Sequence, residues 1–129
     1  LAMDPDDPHL KNFYGYLLAD QGWELDEAER LVREAVEAEP ENGAYVDSLG
    51  WVLYRQGQYE EALEHLIDAV NLLGDDPIVL EHLAECLAAL ERYDEALRTF
   101  ERARRVGGEE ADHLDARIEA MRRAMSEAP

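Results

Sequence analysis

The sequence predicts an all-α fold: a right-handed superhelical array of three antiparallel helical hairpins, closed by a C-terminal capping helix. Three observations predict it. Small residues recur as the triplets Gly15/Ala28/Ala35, Gly50/Ala62/Ala69 and Ala84/Ala96/Ala103, in phase at 34 or 35 residues. A repeat of that length is the mark of stacked helical hairpins. Pro5, Pro40, Gly74 and Gly108 punctuate the chain at intervals of 35, 34 and 34 residues. Beyond the last of them, Ala111, Leu114, Ile118, Met121 and Met125 form one apolar stripe at helical spacing.

The elements follow in order. Residues 1–7 read as the end of a preceding repeat or as a cloning remnant, with Pro5 in the column of Pro40. The first hairpin, 8–41, carries helices over 8–21 and 25–38. Asp7 before Pro8 pairs an N-cap with a proline whose missing N–H costs nothing in a first turn. The second hairpin, 42–75, opens at Asn42 and carries helices over 43–56 and 60–73. The third, 76–109, opens at Asp76-Pro77 and carries helices over 77–90 and 94–106. Inner turns fall at Gly22, Gly57 and Glu91-Arg92. One extra residue in Gly22-Trp23-Glu24-Leu25 is absorbed by the first of these. The capping helix spans 110–126, since a terminal repeat needs a polar outer face.

Against 31 acidic residues stand 12 basic ones, eleven arginines and Lys11, for a net charge of −19. The excess is graded: −8 over residues 1–40, −5 over 41–74, and −3 over each of 75–108 and 109–129. Such a field repels nucleic acid and anionic membranes. It fits either attraction of a basic partner or adaptation to high internal salt. No apolar run approaches the ~18 residues that a membrane span requires. The lone Cys86 excludes an internal disulfide and leaves the compartment, cytoplasmic or envelope-associated, open.

The stretch Ala44 to Tyr54, followed by Tyr59-Glu60-Glu61-Ala62-Leu63, Leu66 and Ala69, resembles a tetratricopeptide repeat. The first and third units resemble it too, the third through Leu83-Ala84, Tyr93-Asp94-Glu95-Ala96-Leu97, Phe100 and Ala103. The wording around Tyr14–Asp20 and Asp47–Arg55 is similar to bacterial members. Gly15, Gly50 and Ala84 then let paired helices approach, while Tyr14, Leu49, Leu83, Leu18, Leu53 and Leu87 fill the seam. Gly50→Leu should overpack that seam at a cost on the order of 1–3 kcal/mol.

The resemblance implies that the first helix of each hairpin lines a concave groove for a peptide or helix of another protein. Carried onto this chain, the groove residues are Asn12, Tyr16, Asp47, Trp51, Tyr54, Arg55, Glu81 and Glu85, with His9, Asp20, Ala44 and Ile78 beside them. Asn12/Tyr16, Asp47/Trp51 and Glu81/Glu85 are each i,i+4 pairs, which places each pair on one face. Aromatic anchors with Asp47, Glu81 and Glu85 suit a basic or amphipathic segment. Equally, Trp51 and Tyr54 read as packing between hairpins. The lysine, asparagine and arginine that grip acidic chaperone tails in part of this family correspond to Asn12, Tyr16, Ser48, Ile78 and His82. Only Asn12 matches, which disfavours that ligand.

His82 and Cys86 stand at i,i+4, but Cys86 shares a column with Leu17 and Val52 and should point inward. No set of four ligands for zinc, no nucleophile–base arrangement and no phosphate-cradling glycine loop occurs in the sequence. The reading is therefore of a non-catalytic protein-binding module with no cofactor or metal. The alternative is a spacer or self-assembly segment acting through the array's ends, in a larger protein whose activity lies elsewhere. Self-association would then run through the terminal helices.

Overall fold

The structure, a computed structural model, describes residue 4 and residues 6–127. It is an array of antiparallel hairpins: α1 (Pro8–Gln21) with α2 (Leu25–Ala38), α3 (Gly43–Arg55) with α4 (Tyr59–Leu73), and α5 (Pro77–Ala89) with α6 (Tyr93–Gly107). A short 3-10 turn, Gly108–Ala111, leads into α7 (Leu114–Glu127). The all-α fold class read from the sequence is the one observed. The seventh helix differs in detail: its expected first turn is the 3-10 turn, which carries the buried Ala111. Of the segment 1–7, residues 1–3 and Pro5 lie outside the described residues.

Each hairpin starts because a side chain satisfies the free N–H groups of the first turn. Asp7 accepts from the His9 amide, Asn42 from those of Ala44 and Tyr45, and Asp76 from those of Ile78 and Val79. The inner turns need a residue in the left-handed region. Gly22 and Gly57 supply it, at φ of 73° and 83°, but in the third hairpin Glu91 takes the role at φ 61°.

Pairing depends on small residues where the helices touch. A Cβ on Gly15 would lie 2.6 Å from Val32 Cγ2, and one on Gly50 would lie 2.7 Å from the Leu66 side chain. Ala28, Ala62 and Ala96 meet these positions from the second helices and are fully buried, as are Ala35, Ala69 and Ala103. Leu18, Leu49, Leu53, Leu66, Leu80, Leu87 and Phe100 complete one continuous core that runs into Leu114, Ile118 and Met121 of α7. Ile118 stands 34 residues after Ala84, in the column of small residues. A larger side chain fits there because, among the described residues, no second helix is paired with α7.

One seam residue departs from expectation. Tyr14 is exposed, whereas Leu49 is buried and Leu83 partly so. Leu83 shares a cavity wall with Leu63 and Ile67 of α4, the helix that precedes its own hairpin. Among the described residues, α1 has no such helix against it.

Candidate peptide-binding groove

Helices α1, α3 and α5 stand side by side and form the wall expected for the groove. A cleft of about 300 Å³ opens between them, lined by Asn12 and Tyr16 of α1, Ala44 and Asp47 of α3, and Ile78 of α5. Three of the expected residues, Asn12, Tyr16 and Asp47, therefore meet in one concavity. The Tyr16 phenol is pushed up to about 12, first by burial and then by the carboxylates of Asp20, Asp47 and Glu81. Its hydroxyl accordingly stays protonated at any working pH. Those carboxylates reach it from all three helices and disfavour a negative charge on its oxygen.

Behind this cleft lies an aromatic stack. The Trp51 ring lies 4.2 Å from that of His82 and 4.9 Å from that of Tyr54, nearly parallel to both. Tyr54 leans on Tyr59 at 5.5 Å, and Tyr16 approaches His82 at 6.2 Å. Trp51 and Tyr54 are partly buried and packed against the core. The Trp51–His82 stack joins neighbouring hairpins, while Tyr54 packs within its own against Tyr59. Offset rings at these separations contribute about 0.5–1.5 kcal/mol beyond their buried area.

The carboxylates expected to stand free for a basic partner are each engaged within the chain. Asp47 is buried and accepts from His82 Nδ1 at 2.9 Å. Glu81 lies 2.7 Å from His113 Nε2. Glu85 accepts from Arg117 Nε and one terminal nitrogen at 3.0 and 2.6 Å, with the guanidinium 5.4 Å over the Phe100 ring. The reason is α7, which does more than cap the last hairpin. Arg117 on α7 and His113 in the turn just before it, four residues apart, stand opposite Glu81 and Glu85, also four apart. Arg55 is exposed, with its guanidinium reaching back to the turn at Gly22.

Sequence reasoning weighed His82 only as a chaperone-tail contact or beside Cys86, and paired none of His82, His113 and Arg117 with the groove carboxylates. For His82 a signal existed, since it shares a column with Ser48 and both prove buried. Cys86 is buried as expected, with its thiol pushed up to about 11 by burial and donating to the Tyr59 carbonyl at 3.2 Å. Two buried polar atoms, Asn12 Oδ1 and Trp51 Nε1, have no partner within the described residues. Among those residues no cluster of three or more His, Cys, Asp or Glu is arranged to hold a metal, and no helix is long and apolar enough to cross a membrane.

Residues 24–103 match the family described as anaphase-promoting complex, cyclosome, subunit 3. The TPR repeat-containing protein PA4667 of Pseudomonas aeruginosa is 35% identical over 85 residues, which cover 66% of this chain and 14% of that protein. The chain thus spans about a seventh of that relative. Among solved structures, the first TPR of Spaghetti (RPAP3) bound to HSP90 peptide SRMEEVD superposes with a TM-score of 0.80 at 19% identity. That match covers 96% of this chain and 99% of that one. PcrH in complex with the chaperone binding region of PopB gives a TM-score of 0.74 at 24% identity, over 93% and 98% of the two chains. At these identities the likeness is one of fold.

Proposed function

The chain belongs to the tetratricopeptide-repeat family, and on that premise we propose that its cleft between α1, α3 and α5 receives a Lys- or Arg-bearing segment of a partner protein. It acts as a non-catalytic interaction module, and the solved neighbours with bound peptides or protein regions are consistent with that role. The observation that carries the proposal is the surroundings of Tyr16. Its hydroxyl sits at the cleft in the combined field of Asp20, Asp47 and Glu81.

A cation placed over the partly buried Tyr16 ring gains about 0.5–2 kcal/mol from the ring itself. Asp20, which is exposed, supplies the carboxylate nearest to free. Ala44 and Ile78, both exposed at the rim, offer apolar contact to the rest of the segment. Trp51 and Tyr54 act here as the support behind the ring rather than as direct anchors. The acidic peptide of the Spaghetti complex is the wrong sign for the carboxylates of this cleft, and the neighbouring Arg117 is already paired with Glu85.

Selection of displayed random peptides against the chain tests this, with counter-selection on an Asn12→Ala/Tyr16→Ala variant of equal helicity. Enrichment of peptides with Lys or Arg that the variant does not retain is the expected result. Enrichment of acidic peptides, or equal retention by both proteins, contradicts it.

A further inference from the structure

The outer face of α1 repeats the columns by which α3 and α5 are packed, but it is uncovered. Phe13, Tyr14 and Leu17 are 56%, 54% and 43% exposed, whereas their counterparts Ser48, Leu49 and Val52, and His82 and Cys86, are 4% exposed or less. His82 is covered by Asp47 and Trp51 of α3, and the others lie toward the second helix of the preceding hairpin. Helix α2 packs on α3 and α4 packs on α5. Cys86 donates to the Tyr59 carbonyl at the start of α4, and Leu83 and Leu87 face Leu63 and Ile67 of the same helix. Helix α1 is thus built to receive the second helix of a hairpin.

A separate observation concerns the turn that leads into α1. The Asp7 amide donates to the Asp4 carbonyl at 3.1 Å, and the Lys11 amide to Asp7 at 3.1 Å. Between α2 and α3 the Asn42 amide donates to the Glu39 carbonyl at 3.1 Å, and the Val46 amide to Asn42 at 3.1 Å. Glu39 is the residue that ends α2. The hydrogen bonds of Asp4, Asp7 and Lys11 therefore match, 35 residues earlier, those between α2 and α3, whereas between α4 and α5 the Asp76 amide donates to the Gly74 carbonyl. The other end of the array is different. Asp115, Ala116, Glu119, Arg122, Arg123 and Ser126 give α7 an exposed polar face suited to water.

We propose that the open face of α1 is the docking surface for the second helix of a further hairpin, carried ahead of α1 in the same polypeptide. The array then continues N-terminally, and the groove gains a fourth wall helix beside Asn12 and Tyr16. The incoming helix presents an aliphatic pair at i,i+4, as α4 presents Leu63 and Ile67 to Leu83 and Leu87.

The test joins a duplicate of residues 42–75 directly ahead of Asp7 and introduces Leu17→Asp, or the milder Leu17→Ala, into both the extended and the 129-residue chains. Amide exchange in α1 should slow by about tenfold or more in the extended chain, as local opening becomes coupled to a neighbour. Leu17→Asp should lower Tm by about 2 °C or less in the 129-residue chain and by about 5 °C or more in the extended one, with Leu17→Ala between. Unchanged exchange, or an equal loss in both backgrounds, overturns the proposal. So does a dimer of the 129-residue chain, seen by light scattering, that Leu17→Asp dissociates. In the gene, the codons upstream of Leu1 should specify a helix with that aliphatic pair; a stop codon or a Gly/Ser-rich linker there also overturns it. None of these readouts depends on a ligand in the cleft, so failure here leaves the peptide-binding reading standing.

Discussion

His82 Nδ1 lies 2.9 Å from one carboxylate oxygen of Asp47 and 3.1 Å from the other, and both side chains are less than a tenth exposed. The pair joins α3 to α5 directly behind the cleft, and Trp51 is stacked on the imidazole. A carboxylate so placed needs its donor, because an unpaired buried charge is far costlier than an unpaired neutral ring.

The two halves of that pair should therefore not be equivalent. His82→Ala strands the Asp47 carboxylate and should destabilise the chain by about 3–5 kcal/mol. Asp47→Ala leaves the His82 ring without its acceptor and should cost about 1–3 kcal/mol. Asp47→Asn keeps an acceptor and should cost less again. Urea unfolding of the three variants checks the order; an Asp47→Ala cost above that of His82→Ala contradicts it.

Glu91 holds a left-handed backbone that Gly57 supplies in the preceding hairpin. A side chain in that region costs about 1–2 kcal/mol, part of which is offset by the greater freedom of glycine when unfolded. Glu91→Gly should raise stability by about 0.5–1 kcal/mol, whereas Gly57→Ala should lower it. Thermal unfolding of the two variants, watched by circular dichroism, decides the matter.

His113 binds Glu81 and its pKa is raised, chiefly by that hydrogen bond. Because the folded value exceeds the unfolded one, its contribution is fully present below pH ~6.5 and fades as the pH rises through the raised value. The group is exposed, so the effect on global stability should be small. NMR titration of His113 should give a pKa above the reference, restored to it by Glu81→Gln. A value that ignores the substitution contradicts the pairing.

Net charge of −19 sets another expectation. Self-repulsion should ease as salt shortens the Debye length toward ~3 Å at 1 M, so Tm should climb with sodium chloride. Peptide binding in the cleft should weaken over the same range. A flat Tm counts against adaptation to high salt, and salt-indifferent binding counts against a basic ligand.

The array was legible because its physics is local and repeated. Asp7, Asn42 and Asp76 cap helices within reach of their own sequence neighbours, and Gly15 and Gly50 mark close approach wherever they recur. Of the columns assigned to the groove, Asn12, Tyr16 and Asp47 converge on one cleft. What each column does was not legible, because it depends on pairs 32 or 35 residues apart, such as Asp47 with His82 and Glu85 with Arg117. The 34-residue register continued past Gly108 through Leu114, Ile118 and Met121, and following it would have set α7 beside α5. Tyr14 failed as a seam residue for a plain reason: the helix that would bury it is not among those described.

The most direct measurement is the affinity of a fluorescein-labelled Lys/Arg-rich amphipathic peptide, compared with its Glu-substituted counterpart, for the chain and for Tyr16→Ser by anisotropy. The account predicts binding of the basic peptide alone, weakened about tenfold by Tyr16→Ser, as loss of ~1.4 kcal/mol implies. Equal binding of the two peptides, or a Tyr16→Ser protein that binds as well as the original, would contradict it.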